Sequence, residues 1–171
     1  MLPRIEGVGK KRAAASTPAT VALVRAGIPF EIRAYEHEPG VSDFGGEAAA
    51  ALGVEPERVF KTLLAEVDGA LAVGVVPVSG KLDLKALAAA LGGRRAAMAD
   101  PVLAERKTGY VVGGISPIGQ RTRLRTVVDA SALGHGTVLV SGGRRGFDIE
   151  LTPGDLMRAT DAIAAPIGRP D

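Results

Sequence analysis

Two apolar runs meet at Asp68-Gly69, and this junction constrains the fold more than any other stretch of the chain. Val59-Phe60-Lys61-Thr62-Leu63-Leu64-Ala65-Glu66-Val67 leads into it, and Leu71-Ala72-Val73-Gly74-Val75-Val76-Pro77-Val78 leads out. Asp-Gly suits the two positive-φ positions of a tight hairpin turn, so the pattern predicts an antiparallel pair of strands. On the first strand Phe60, Thr62 and Leu64 point one way, and Lys61, Leu63 and Ala65 the other. Lys61 therefore shares a face with apolar neighbours. An ammonium placed there either snorkels to water from the strand end or requires an acceptor or a ligand.

On either side of the hairpin, short helices and short strands alternate. Ser16-Thr17-Pro18 reads as a capped helix start and Gly27 as its end. Phe30 to Glu36 alternates as a strand. A loop with Asp43, Phe44, Gly45 and Gly46 leads to a helix from Glu47 to Leu52. Ser79 to Asp83 reads as a turn, Leu84 to Leu91 as a helix stopped by Gly92-Gly93, and Arg95 to Met98 as a short strand. Asp100-Pro101 opens a helix running to about Lys107. Leu124 to Asp129, Thr137 to Ser141 and Phe147 to Leu151 read as strands, Asp155 to Ala162 as a last helix, and Ile163 to Asp171 as a fraying end. There is no long βαβ repeat. The expected class is therefore α+β: a single domain with a mixed, mostly antiparallel sheet, curled toward a barrel with short helices around it. That domain spans residues 16–165, behind a disordered basic tail over residues 1–15.

With 171 residues, 46% of them hydrophobic, the chain suits one sizeable core. No apolar run is long enough for a bilayer and the N-terminus has no signal-peptide core, so the expected location is cytoplasmic, with no membrane partner. The absence of cysteine excludes disulfides, thiolate metal sites and a protein thiol nucleophile. With only His37 and His135, a multi-histidine metal site is excluded, and a Ser-His-Asp triad could use only one of the two. Arg4, Lys10, Lys11 and Arg12 against Glu6 put the first twelve residues at +3, which leaves the remainder of this +2 chain at −1. The tail could attract phosphate nonspecifically or be a solvated extension. The body would have to meet nucleic acid through local patches.

Two glycine loops carry chemical potential. Gly113-Gly114-Ile115-Ser116-Pro117-Ile118-Gly119 could aim backbone N–H groups at a carbonyl or phosphate oxygen, or be a bulged turn. It lacks the Gly-Lys-Ser/Thr of a P-loop. Ser141-Gly142-Gly143-Arg144-Arg145-Gly146 could bind phosphate or an RNA backbone through its arginines, or be a plain hairpin loop. Asp148, two residues beyond it, either faces a cavity or sits on a surface strand. Arg121, Arg123 and Arg125, spaced by two, would form a basic stripe on one strand face.

Seven segments then occur in a familiar order. They are Tyr35-Glu36-His37-Glu38-Pro39, Val59-Phe60-Lys61-Thr62-Leu63, Leu82-Asp83-Leu84-Lys85, Met98-Ala99-Asp100-Pro101, Thr108-Gly109-Tyr110, Val112 through Gly119, and Ser141-Gly142-Gly143 through Asp148-Ile149-Glu150-Leu151. Together they resemble the YbaK/EbsC family, free-standing relatives of the prolyl-tRNA synthetase editing domain, from about Thr17 to Leu156. The resemblance implies a sheet curled around a pocket and a trans-editing activity that removes a wrongly esterified amino acid, cysteine on tRNA(Pro), from the tRNA 3′ end. It places the activity-linked lysine at Lys61 and pocket positions at Tyr35, Phe44, Thr62, Gly113, Gly114, Ser141 and Asp148. It implies no cofactor, an aminoacyl-tRNA substrate and a transient complex with prolyl-tRNA synthetase, and leaves monomer and homodimer open. It also implies that the substrate's own thiol attacks its carbonyl, with Lys61 at the terminal adenosine or the developing charge and the N–H groups of Gly113 and Gly114 on the carbonyl oxygen. Two other readings stay open: removal of another small amino acid, such as alanine, by water, and a module that binds aminoacyl-tRNA or a synthetase without catalysis.

Overall fold

A computed structural model describes residues 16–171; the expected disordered tail lies outside the described residues. The hairpin forms as its sequence requires. Strand β2 (Phe60–Val67) pairs antiparallel with β3 (Ala70–Pro77), from Phe60 opposite Pro77 to Val67 opposite Ala70. Asp68 and Gly69 both take positive φ, 50° and 84°, which matches the twist of the flanking strands. The Asp68 carboxylate accepts the N–H groups of Arg94 and Arg95, each at 3.0 Å, and these bonds hold it below the usual carboxylate pKa. The turn is thereby fastened to the segment entering β5 (Ala96–Met98), which pairs with the far end of β2.

The remaining elements build outward from this pair. Helix α1 (Pro18–Ala26) is capped by the Thr17 hydroxyl and ended by Gly27 at φ 67°. Strand β1 is Glu31–Ala34. Helix α2 (Phe44–Leu52) begins earlier than its sequence suggests, because the Asp43 side chain accepts the N–H of Gly46 and so draws both glycines into the first turn. After β4 (Gly80–Leu82) come α3 (Leu84–Ala90), capped by Asp83, and α4 (Pro101–Thr108). Strands β6 (Arg125–Asp129), β7 (Val138–Arg144) and β8 (Phe147–Leu151) precede α5 (Pro153–Thr160), which is capped by Thr152.

One sheet has the order β5-β2-β3-β6 and a second the order β1-β8-β7. The β3–β6 pairing is parallel, whereas β2–β3, β2–β5, β1–β8 and β7–β8 are antiparallel. A parallel bridge between Val59 and Leu139 links the two sheets edge to edge. This is the expected α+β domain with a mixed, mostly antiparallel sheet; the curl stops short of a closed barrel. Phe60, Leu64, Val73, Val75, Ile149 and Leu151 share the main core, while Ala65, Val67, Ala72, Val76, Leu87 and Val127 form a second one on the opposite side of the hairpin. Burying a Val- or Leu-sized side chain contributes roughly 1.5–3 kcal/mol, so both faces of the hairpin stabilise the domain. Among the described residues, no helix is long and apolar enough to cross a membrane.

Three expectations need correction. Residues 163–171 do not fray. Ile163–Ala165 forms β9 on the edge of β6, and Gly168–Pro170 forms β10, paired with β4, where only a turn was expected. The Asp129 carboxylate accepts the N–H groups of Ile167 at 2.9 Å and Gly168 at 2.8 Å, and Ile167 is fully buried. The arginine stripe also fails. Only Arg125 lies on a strand, because the chain bends through residues 117–122. Arg121 and Arg125 donate to the carbonyls of Arg106 and Leu91, and Arg123 pairs with Asp161.

Candidate functional site

The β1-β8-β7 sheet turns one face to the main core and the other toward α2. Alternation sorts the residues of β8: Ile149 and Leu151 enter the core, while Asp148 and Glu150 face away from it. Ser141 on β7 and Arg33 on β1 stand opposite Asp148 on its two neighbouring strands. Where this face meets the start of β2, the start of α2 and the 111–115 loop, the packing leaves a cavity of about 370 Å³. That is the small end of the range for small-molecule sites, enough for the end of a long ligand and not its body.

Seven of the eight residues proposed from sequence line this cavity: Tyr35, Phe44, Lys61, Thr62, Gly113, Ser141 and Asp148. Lys61 is half-buried and, among the described residues, its ammonium has no hydrogen bond or ion pair. Thr62 is buried, and among the described residues its hydroxyl oxygen has no hydrogen-bond partner, which costs about 1–3 kcal/mol if nothing binds there. Asp148 is 6% exposed and likewise has no hydrogen bond or ion pair to its carboxylate among the described residues. Burial pushes its pKa up to about 7 against a modest opposing pull from the Arg33 charge. Tyr35 is pushed up to about 12, by burial first and by the Asp148 charge second. Ser141 accepts the N–H of Gly143 at 3.2 Å.

The two glycines of the 111–115 loop do different things. Gly113 sits at φ 89° in a tight turn closed by the N–H of Gly114, which donates to the Val111 carbonyl at 2.8 Å. The Gly113 N–H has no such partner among the described residues. Gly114 does not line the cavity, and a Cβ there would lie 2.6 Å from Cα of Arg144, so it is a close-packing position. The expectation that both N–H groups hold one oxygen is therefore corrected: the second is already spent inside the loop.

Other parts of the wall were not singled out for the site from sequence. Met98 ends β5 and Ala99 follows it, Ala104 lies on α4, and Val112 and Ile115 flank the glycines. Met98 and Val112 are exposed; from sequence the run around Met98 was read as a short strand and a family-like segment, with no pocket role. The loop is held from two sides: Glu105 on α4 accepts the Val112 N–H at 2.7 Å, and Nε of Arg145 donates to the Val112 carbonyl at 2.9 Å.

A family model described as the aminoacyl-tRNA editing domain matches residues 38–159, a span that holds every cavity residue named above except Tyr35. The chain belongs to the aminoacyl-tRNA editing domain family. Over 163 residues, this editing domain is 33% identical to the Enterococcus faecalis protein named "Putative Cys-tRNA(Pro)/Cys-tRNA(Cys) deacylase EbsC", a match covering 94% of this chain and 98% of that one. It is 37% identical over 73 residues to the proline–tRNA ligase of Moorella thermoacetica, covering 43% of this chain and 13% of the ligase. A solved structure described as "a putative trans-editing enzyme for prolyl tRNA synthetase" superposes with a TM-score of 0.78 at 26% identity, covering 90% of this chain and 98% of the other. The resemblance to the YbaK/EbsC family and the α+β fold expected from it therefore both hold for this editing domain.

Proposed function

We propose that this chain is a free-standing aminoacyl-tRNA deacylase that removes cysteine from mischarged tRNA(Pro), with prolyl-tRNA synthetase as a transient partner in tRNA selection. The observation that carries the reading is the shared cavity. Lys61, Gly113 and Asp148 come from three separate elements and line one space, each with a polar group that has no partner among the described residues. Family membership and the name of the Enterococcus faecalis relative support the substrate class.

The chemistry follows from what the cavity offers. An ester carbonyl needs a donor for its developing oxyanion and a nucleophile in reach. The Gly113 N–H supplies one donor. No protein thiol exists in this sequence, which suits the route that the family resemblance implies: the substrate's own cysteine sulfur attacks its carbonyl carbon. The S–C bond forms, the bond from carbonyl carbon to ribose oxygen breaks, and the thiol proton ends on the departing ribose hydroxyl. The products are a cyclic thioester and uncharged tRNA. Lys61 sits against the terminal adenosine and the charge growing on the leaving oxygen. Asp148 faces the α-ammonium, an opposite charge that favours its ionised form. Holding thiol and carbonyl in an attack geometry accounts for roughly 7–11 kcal/mol of barrier.

Single-turnover deacylation of Cys-, Ser- and Ala-charged tRNA tests this. Cysteine is expected to be released fastest, and replacing its sulfur by the serine oxygen to slow release by orders of magnitude. Equal rates for cysteine and serine would overturn the thiol route, release of alanine alone would point to water as the nucleophile, and binding without release would make the chain a passive module.

A further inference from the structure

We propose that Arg145 docks the phosphodiester that precedes the terminal nucleotide of the RNA substrate, a role that rests on the deacylase reading. Arg145 lies in the turn between β7 and β8, exposed and outside the cavity, yet it touches three residues that line it. Its Nε donates to the Val112 carbonyl at 2.9 Å, and its guanidinium carbon stands 4.8 Å from the centre of the Phe44 ring. The absence of a side chain at Gly113 makes room for it, since a Cβ there would come within 2.9 Å of Nε.

These contacts fix the plane of the guanidinium and leave its two terminal nitrogens for another acceptor. No carboxylate among the described residues pairs with it. Other arginines of the domain are spent: Arg33 and Arg58 on Glu150, Arg158 on Asp155, and Arg123 on Asp161. Glu105, the acid next to the same loop, spends an oxygen on the Val112 N–H. An orientated, uncompensated guanidinium loses little freedom on binding and matches a phosphate with two parallel N–H donors. In a charged RNA end, the nearest phosphate lies one ribose away from the ester carbon. A cation at the mouth is therefore where that phosphate arrives when the ester reaches the floor.

The test uses the full chain, an aminoacylated CCA trinucleotide and the matching 2′(3′)-O-aminoacyl-adenosine, which has no phosphate. Arg145→Gln is expected to raise KM for the trinucleotide about 10- to 100-fold with kcat within about twofold, as for a lost charged hydrogen bond. For aminoacyl-adenosine it should change either constant by no more than about threefold, the share of the lost Val112 contact. The salt dependence of kcat/KM for the trinucleotide should flatten by about 0.7 in log–log slope, the share of one phosphate on a single strand. Arg145→Lys keeps the charge and should recover part of the loss. Equal weakening of both substrates would mean that Arg145 only clasps the loop, and no change in either would mean that it contributes nothing; each result overturns the proposal. If the wild-type protein cleaves neither substrate, it is the deacylase reading that fails. Fluorescence anisotropy with an uncharged, labelled CCA-ended oligonucleotide then decides the role of Arg145, with weaker binding by Arg145→Gln supporting it and equal binding overturning it.

Discussion

Two carboxylates on β8 stand two residues apart on one face, and the sheet treats them in opposite ways. Glu150 is held by Arg33, by Arg58 at 2.9 Å and by the Thr137 hydroxyl. Although burial pulls the other way, those bonds and charges keep its pKa below the usual range. Asp148 is more deeply buried and has none of these partners; its pKa rises to about 7. The Arg33 guanidinium, on the strand next to both, goes to Glu150. A buried acid left unpaired beside a neighbour with three partners costs stability, which marks it as a group kept for something that arrives from outside. Glu150 belongs to the scaffold; on the proposed reading, Asp148 is kept for the guest.

The sharpest break in that division should come from Lys61. Lys61→Ala is expected to lower kcat/KM on Cys-tRNA by about 10²–10³-fold, the scale for one electrostatic group at the reacting atoms, while the urea midpoint stays near wild type. Next, Glu150→Gln should destabilise the domain by about 3 kcal/mol in urea unfolding, because two partly buried guanidinium groups lose their counter-charge. Asp148→Asn should be neutral or mildly stabilising at pH 8 and should impair deacylation. If both substitutions cost the same stability, the contrast between the two acids is wrong.

The pH dependence should separate them by sign. Asp148 binds its proton more tightly folded than unfolded, where its pKa is about 3.9. Folding is therefore favoured by this group at acid pH, and that contribution is lost as pH rises through about 7. It amounts to a few kcal/mol, on the scale of ~1.4 kcal/mol per tenfold in proton affinity. Glu150 does the reverse: its contribution is present above the ordinary glutamate pKa and lost as pH falls through its depressed value. Urea midpoints from pH 3 to 8 should show the neutral limb flattened in Asp148→Asn and the acid limb flattened in Glu150→Gln. The smallest effect belongs to Thr62→Val. Removing a hydroxyl that has no partner among the described residues should raise stability by about 1 kcal/mol, the lower end of the cost of leaving it unpaired. A several-fold rise in KM for charged tRNA would show that the hydroxyl meets the substrate.

Much of this frame was legible in the sequence where one residue type performs one local task. Asp68-Gly69 fixed the hairpin, Thr17-Pro18 and Asp83 fixed helix starts, and Gly27 fixed a helix end. What stayed hidden depends on distant partners. Gly168-Arg169-Pro170 has neither alternation nor β-branched residues, and it pairs because Asp129, some forty residues earlier, holds the backbone beside it. Lys61 and Asp148 were each open to two readings on their own strands, and the family-like order and spacing of seven motifs together drew them toward one pocket. That the Gly114 N–H is used up within its own turn could not be read from a string of glycines.

Strand β2 does more than present Lys61 and Thr62. Leu64 packs in one core, Ala65 in the other, and both edges are paired over Ala65–Val67. Such a strand has almost no freedom to drift. A change of substrate preference, in nature or in a laboratory library, would have to be written in the wall outside the buried cores: Met98, Phe44, Val112 and their neighbours, where a side chain can grow or shrink without unseating a core. The Lys61 end of the cavity is pinned by the strand that carries it; its fit to a particular amino acid is the part open to revision.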